Sequence, residues 1–131
     1  MKFMLDTNMC VFLMKNRPET VARYKQNAPL GIAISSITLS ELKFGVYNSA
    51  NPESNGENLL RFLIGVDVLD YGGAAADEYG RVRANLRRKG APIGQMDMLI
   101  AAHAKAESLT VVTNNTREFG QVEGLCLEDW A

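Results

Sequence analysis

Asp6, Glu41, Asp97 and Glu118 share a kind of position in this chain of 131 residues: each lies where an element begins or just past a strand end. Asp6 closes the apolar run Phe3-Met4-Leu5. Glu41 falls in the first turn of a helix that follows the Ile32-Ala33-Ile34-Ser35 run, and Asp97 opens a helix leading into a later strand. Glu118 comes a few residues after the strand end at Thr113. In open α/β sheets such positions face one crevice at the carboxyl ends of the strands. Carboxylates gathered there repel one another and raise their pKa values unless a cation lies between them. Oxygen donors suit Mg²⁺ and Mn²⁺, ions that activate a water and stabilise a phosphoryl transition state.

Each acid also has a local explanation. Thr38-Leu39-Ser40-Glu41 has the form of a capping box, and Asn115 and Glu118 have the same spacing. Asp97 complements a helix dipole. Asp6 is the hardest to explain away, because an unpaired carboxylate after a buried run is destabilising.

The elements that must position these residues alternate. Lys2 to Leu5 reads as a strand, and Thr7-Asn8 supplies N-cap chemistry for a helix through Met14. Pro18 starts a helix to about Gln26, Ile32 to Ser35 is a buried strand, and the next helix opens at Thr38 with Leu39, Leu42 and Val46 on one face. The Asn48-to-Asn58 segment carries loop chemistry and forms the longest irregular stretch. A helix begun around Glu53 runs through Leu59 to Ile64, and Val66 to Leu69 is a strand. A helix from Ala74 to Lys89 stops at Gly90, a further helix spans Met96 to Glu107, and Leu109 to Thr113 is a strand. A short helical turn near Arg117 precedes a last strand at Leu125 to Leu127. Strands alternating with helices of this length imply a mostly parallel central sheet in an α/β fold.

Length sets one domain over residues 1–131. The 47% apolar and 22% charged fractions are those of a folded globular chain. No run approaches the apolar length of a membrane span, and Asp6 interrupts the first apolar run, so a cytoplasmic location is expected. Cys10 and Cys126 are far apart and His103 is the only histidine, which excludes a disulfide framework and a zinc site of ordinary spacing. We read His103 as structural. The net charge of −1 is modest for a nucleic-acid partner, but setting the four acids aside leaves a cationic remainder.

Much of that remainder lies between Arg81 and Lys89. Arg83 and Arg87 stand one turn apart there, and Arg81 and Arg88 two turns apart. These cations either position an RNA backbone or form a solvated helix face suited to the dipole. Tyr24, Tyr47, Tyr71 and Tyr79 are scattered, as core and rim tyrosines are.

Four strings resemble, in order and spacing, the signature blocks of VapC toxins of the PIN-domain family. They are Met4-Leu5-Asp6-Thr7-Asn8, Ser35-Ser36-Ile37-Thr38-Leu39-Ser40-Glu41-Leu42, Asp97-Met98-Leu99-Ile100-Ala101-Ala102-His103-Ala104 and Val112-Thr113-Asn114-Asn115-Thr116-Arg117-Glu118-Phe119. The resemblance covers essentially the whole chain, including Leu127-Glu128-Asp129-Trp130. It implies a three-layer α/β/α PIN-like fold and a Mg²⁺- or Mn²⁺-dependent endoribonuclease. Asp6 and Asp97 would bind metal and, with Glu41 and Glu118, form the catalytic acids; Thr7, Asn8, Thr113 and Asn115 would support the site. Asn115 stands where an Asp is frequent in relatives, which is why Glu118 takes the fourth acidic role. The resemblance further implies a homodimer, a VapB-type antitoxin covering the acidic groove, and an RNA substrate. That RNA is expected to be a tRNA cut in its anticodon loop, with initiator tRNA as the specific hypothesis.

A haloacid-dehalogenase-like phosphatase needs a second Asp where Asn8 stands, and nucleotide-binding enzymes need a G-x-G-x-x-G or Gly-Lys-Ser/Thr loop that is absent. The competing class is a PIN-like interaction subunit with weak metal binding and little or no nuclease activity.

Overall fold

The computed structural model describes residues Met1–Ala131. Five strands form one wholly parallel sheet: β1 (Phe3–Leu5), β2 (Ile32–Ser35), β3 (Asp67–Leu69), β4 (Thr110–Val112) and β5 (Leu127–Glu128), in the order β3-β2-β1-β4-β5. Seven helices connect them: α1 (Thr7–Met14), α2 (Pro18–Asn27), α3 (Ser36–Tyr47), α4 (Pro52–Leu63), α5 (Gly73–Lys89), α6 (Gln95–Ala106) and α7 (Thr116–Phe119). No helix is long and apolar enough to cross a membrane.

The pleat of the sheet divides the core. Phe3 and Leu5 of β1, Ile32 and Ile34 of β2 and Val112 of β4 face one layer, where they meet Met9, Leu13, Leu42 and Leu59. Met4, Ala33 and Val111 point to the other side, against Val82, Leu86, Ile100, Ala104 and Phe119. Helices α1 to α4 therefore cover one face and α5 to α7 the other, giving the three-layer arrangement expected. Central strands buried on both faces explain the continuous apolar runs.

Several boundaries differ from the sequence reading, each for a local reason. Asp6, rather than Thr7 or Asn8, is the N-cap of α1: its backbone is extended and its carboxylate accepts from the N–H of Met9 at 2.8 Å. Helix α3 opens at Ser36 instead of Thr38, because Ser35 ends β2 and also caps the helix, accepting from the N–H of Ile37 at 3.1 Å. Glu41 thus lies in the second turn. The stretch from Asn48 to Asn58 is not a long loop, since Pro52 at the first helical position starts α4 and leaves only a short link before it. The last strand is Leu127–Glu128 rather than Leu125 to Leu127, its register being fixed by pairing with Val111 and Val112. Gly90 ends α5 in the left-handed conformation at φ 65°, in keeping with its position after the last helical residue.

The chain leaves β1 toward β2 on one side and returns through α5 and α6 to β4 on the other. The order therefore reverses between β1 and β4, and the crevice beyond their carboxyl ends is flanked by Asp6 and Thr113. Strand β5 closes that side. The N–H of Thr113 donates to the carbonyl of Glu128 at 2.9 Å, and Trp130 is buried edge-on against Phe3 with ring centroids 5.0 Å apart. Trp130→Ala should cost about 3–5 kcal/mol of folding stability, read as a lowered urea midpoint with an unchanged slope.

Candidate active site

The site grows outward from Asp6. Its carboxylate is buried, with Oδ1 accepting from Met9 and Oδ2 accepting from the Thr113 hydroxyl at 2.5 Å. Burial raises its pKa, and the hydrogen bonds from Thr113 and Met9 pull it back; the negative charges of Glu41 and Asp129 add to the rise. Thr113 in turn accepts from the N–H of Asn115 at 2.9 Å, which turns the chain sharply after β4 and aims the Asn115 side chain into the crevice.

Asn115 is the N-cap residue of α7, yet its side chain makes no cap. Its amide instead donates to Asp97 Oδ2 at 2.9 Å and to Glu118 Oε2 at 3.2 Å. The capping-box alternative for Asn115 and Glu118 is thereby replaced by a bridge between two carboxylates. Glu118 also accepts from the N–H of Gly94, the residue preceding α6, at 3.4 Å. Burial, a hydrogen bond with Glu118 and the charges of Glu118 and Asp6 push Asp97 up to about 7. Glu118 is held below its ordinary value by the same hydrogen bond and by the Gly94 N–H. Of the two carboxyls, Asp97 is therefore the more readily protonated.

Glu41 enters from α3. Thr7 donates its hydroxyl to Glu41 Oε1 at 2.6 Å, so the Thr38 capping box does not form and the Thr38 hydroxyl is buried without a partner. Thr7, Thr113 and Asn115 thus each hold a carboxylate of the site. Asn8 does not: it is exposed at the start of α1 and its side chain makes no hydrogen bond. Asp129, just past β5, was missed as a site residue; its signal was the one used for Asp6, an acid immediately after a strand.

The acids are linked through hydroxyl and amide groups, and no three of them close around a common point. That carboxylate donor set is all oxygen, and burial with neighbouring negative charge raises the pKa values of Asp6 and Asp97. It fits a hard cation that retains several waters and takes one or two carboxylates, and it does not fit a closed zinc cage.

Beneath the site, His103 of α6 is buried and its Nδ1 lies 2.8 Å from the Ser35 hydroxyl, with Tyr71 edge-on at 5.5 Å. The structural role read for His103 is therefore a link between the helix carrying Asp97 and the cap of the helix carrying Glu41. Cys10 is a buried free thiol, and Cys126 is exposed and free. On α5, Arg81 pairs with Asp77 and Glu78, and Arg83 donates to the Tyr79 hydroxyl at 3.1 Å.

Burial lowers the pKa of His103 below 6.5, outweighing the opposing pull of Glu107 and Asp70. An unfolded chain therefore binds a proton that the folded one resists, and stability falls as pH drops through about 6.5. Between pH 7.5 and 5.5 the wild type should lose stability relative to His103→Asn, an amide that can still meet Ser35, in parallel urea titrations. Equal pH dependence in the two proteins would contradict this account of the buried ring.

The PIN domain family matches residues 3–125 of the chain. The tRNA(fMet)-specific endonuclease VapC of Shigella flexneri is 49% identical over 132 residues, covering 100% of this chain and 99% of that protein. Ribonuclease VapC2 of Rickettsia felis is 42% identical over 99% of this chain and 98% of its own length. Among solved structures, VapBC2 of Rickettsia felis bound to a promoter DNA fragment superposes with a TM-score of 0.95 at 41% identity, covering 100% of both chains. DNA-bound VapBC of Salmonella typhimurium gives 0.94 at 47% identity, covering 100% of this chain and 99% of that one.

Proposed function

This chain belongs to the PIN-domain family, and from that premise we propose that it is a VapC-type toxin, a divalent-metal-dependent endoribonuclease working as one domain over residues 1–131. The observation that carries the proposal is geometric: the Asn115 amide joins Asp97 and Glu118 near buried Asp6, which gathers acids at the switch point of a parallel sheet. Asp6 and Asp97 hold the cation, Mg²⁺ or Mn²⁺, and Glu41 and Glu118 complete the catalytic acids. When bound, such an ion neutralises charge on the scissile phosphate and lowers the pKa of a coordinated water. The protein's own part is positional. Thr113 fixes Asp6, Thr7 fixes Glu41, and Asn115 keeps Asp97 and Glu118 together while turning both toward the crevice.

The substrate class follows from the relatives named for tRNA(fMet), two of which match this chain over nearly its full length. Initiator tRNA is accordingly the proposed RNA, cut in the anticodon loop, in the cytoplasm. The solved VapBC complexes support a VapB-type antitoxin as partner. A groove of about 340 Å³ beside Glu41, walled by Val11, Met14, Leu42 and Val46, offers a seat for an apolar segment of it. Exposed Phe44 and Tyr47 of α3, Leu60 of α4 and Ile64 just past its end supply an apolar face for a homodimer.

With Mn²⁺ present, sequencing of RNA ends after brief induction should reveal cuts confined to tRNA anticodon loops, and Asp97→Asn should reduce them by about 10²–10³-fold. Cleavage of messenger RNA with tRNA left intact would overturn the substrate; no Mn²⁺ binding and no cleavage would leave an interaction subunit. Thr113→Val should weaken Mn²⁺ binding by about 10–100-fold through loss of the hydroxyl that orients Asp6, as read by calorimetry.

A further inference from the structure

The arginines of α5 divide between two cavities, one balanced in charge and one cationic. Arg81 and Arg88 border one of about 700 Å³, together with Lys105, Asp77, Glu78 and Glu123. Three cations there face three acids, Arg81 is tied to Asp77 at 2.9 Å and Glu78 at 3.0 Å, and Lys105 is tied to the Glu123 carbonyl at 2.8 Å. Such a groove has no preference for a phosphate.

Arg83 and Arg87 border the second cavity, of about 360 Å³, whose floor is Leu86, Ile93 and Met98 with Pro92 at the rim. No acid lines it. Arg87 makes no ion pair, and the Arg83 guanidinium is steadied by the Tyr79 hydroxyl without being neutralised. The chain that walls this cavity runs on to the acids. Ile93 immediately precedes Gly94, whose N–H meets Glu118, and Met98 immediately follows Asp97 on α6.

We propose that this cavity is a nucleotide subsite next to the cleavage centre. Arg83 and Arg87 take the phosphate of a nucleotide flanking the scissile bond, and its base rests on Leu86, Ile93 and Met98. The physical basis is complementarity on both counts. Guanidinium forks match phosphate oxygens bidentately, and single-stranded nucleic acid is held where a cationic wall meets an apolar surface on which a base can lie. Phosphate contacts of this kind set register without reading sequence, so the subsite positions the RNA and leaves base selection to other contacts. The inference rests on the reading of the chain as an RNA-cleaving enzyme.

The test compares Arg83→Ala/Arg87→Ala, Arg83→Lys/Arg87→Lys and Arg81→Ala/Arg88→Ala in steady-state cleavage of initiator tRNA with Mn²⁺ at several salt concentrations. The first pair should raise KM about tenfold or more with kcat nearly unchanged, and should flatten the salt dependence by about 0.7 in log–log slope for each phosphate no longer neutralised. The lysine pair should recover the salt slope but only part of the KM, and the third pair should resemble the wild type. In parallel, adenosine 5′-monophosphate titrated into the metal-free protein should shift the amide resonances of Gly90, Ile93 and Met98, and should not do so in Arg83→Ala/Arg87→Ala. Cleavage with an unchanged KM in that variant, or equal losses in the two alanine pairs, would overturn the subsite while sparing the RNA-cleaving reading. Retained cleavage kinetics with weakened antitoxin binding would make the cavity a protein-docking site and overturn it too. If the wild type cleaves no RNA, the RNA-cleaving reading fails, and the nucleotide shifts alone decide whether the cavity takes a phosphate and base.

Discussion

Asp6 stands at the end of a strand that is covered on both faces, and an ionised carboxylate in such a place is destabilising unless its oxygens are satisfied. Both are: one by the first turn of α1, the other by the hydroxyl of Thr113. The rest of the site depends on that hydrogen bond, because Thr113 is also the acceptor that bends the chain toward Asn115, and Asn115 is the donor that collects Asp97 and Glu118. A helix cap, a strand end and a charge cluster are thus one connected set of hydrogen bonds. Asp6 serves a structural and a chemical purpose at once.

The same set explains why the negative charge is tolerated. The acids are joined by neutral hydroxyls and an amide, and burial together with the neighbouring charges of Glu118 and Asp6 raises the Asp97 pKa to about 7. Neutral supports leave the charge available to a cation, whereas a fixed Arg would have compensated it permanently. On α5, Arg83 and Arg87 line a cavity with no acid, whereas Arg81 is paired with Asp77 and Glu78 in a cavity that also holds Glu123.

What was legible in the sequence was legible for reasons of period and position. The strand-to-helix alternation implied the parallel sheet, and the four acids were found because strand ends and helix starts of a doubly wound sheet face one crevice. The differences are instructive about range. Ser35 caps α3 although Thr38 offered a better-formed local box, because the strand ends one residue before the helix begins and leaves no room for a linker. Asn48 to Asn58 carried loop composition, yet the helix start placed near Glu53 falls one residue from Pro52, which begins α4, whose inward face includes Leu59, Phe62 and Leu63. Asn115, read as a hydrogen-bonding support, bridges Asp97 and Glu118; which carboxylates it joins depends on those two being neighbours in space. The pairing of Ser35 with His103 was invisible for the same reason, being a contact between distant segments, whereas Asp129 carried the strand-end signal of Asp6 and was passed over.

That distance has a consequence for how the protein comes into being. The hydroxyl that secures Asp6 lies 107 residues further along the chain, and its own backbone is held by a strand later still. Synthesis proceeds from the amino terminus, and domains fold as units once their parts are available. A partly made chain on the ribosome therefore carries the first acid without its partners, and no competent centre exists beside the translation machinery until the closing strand has emerged.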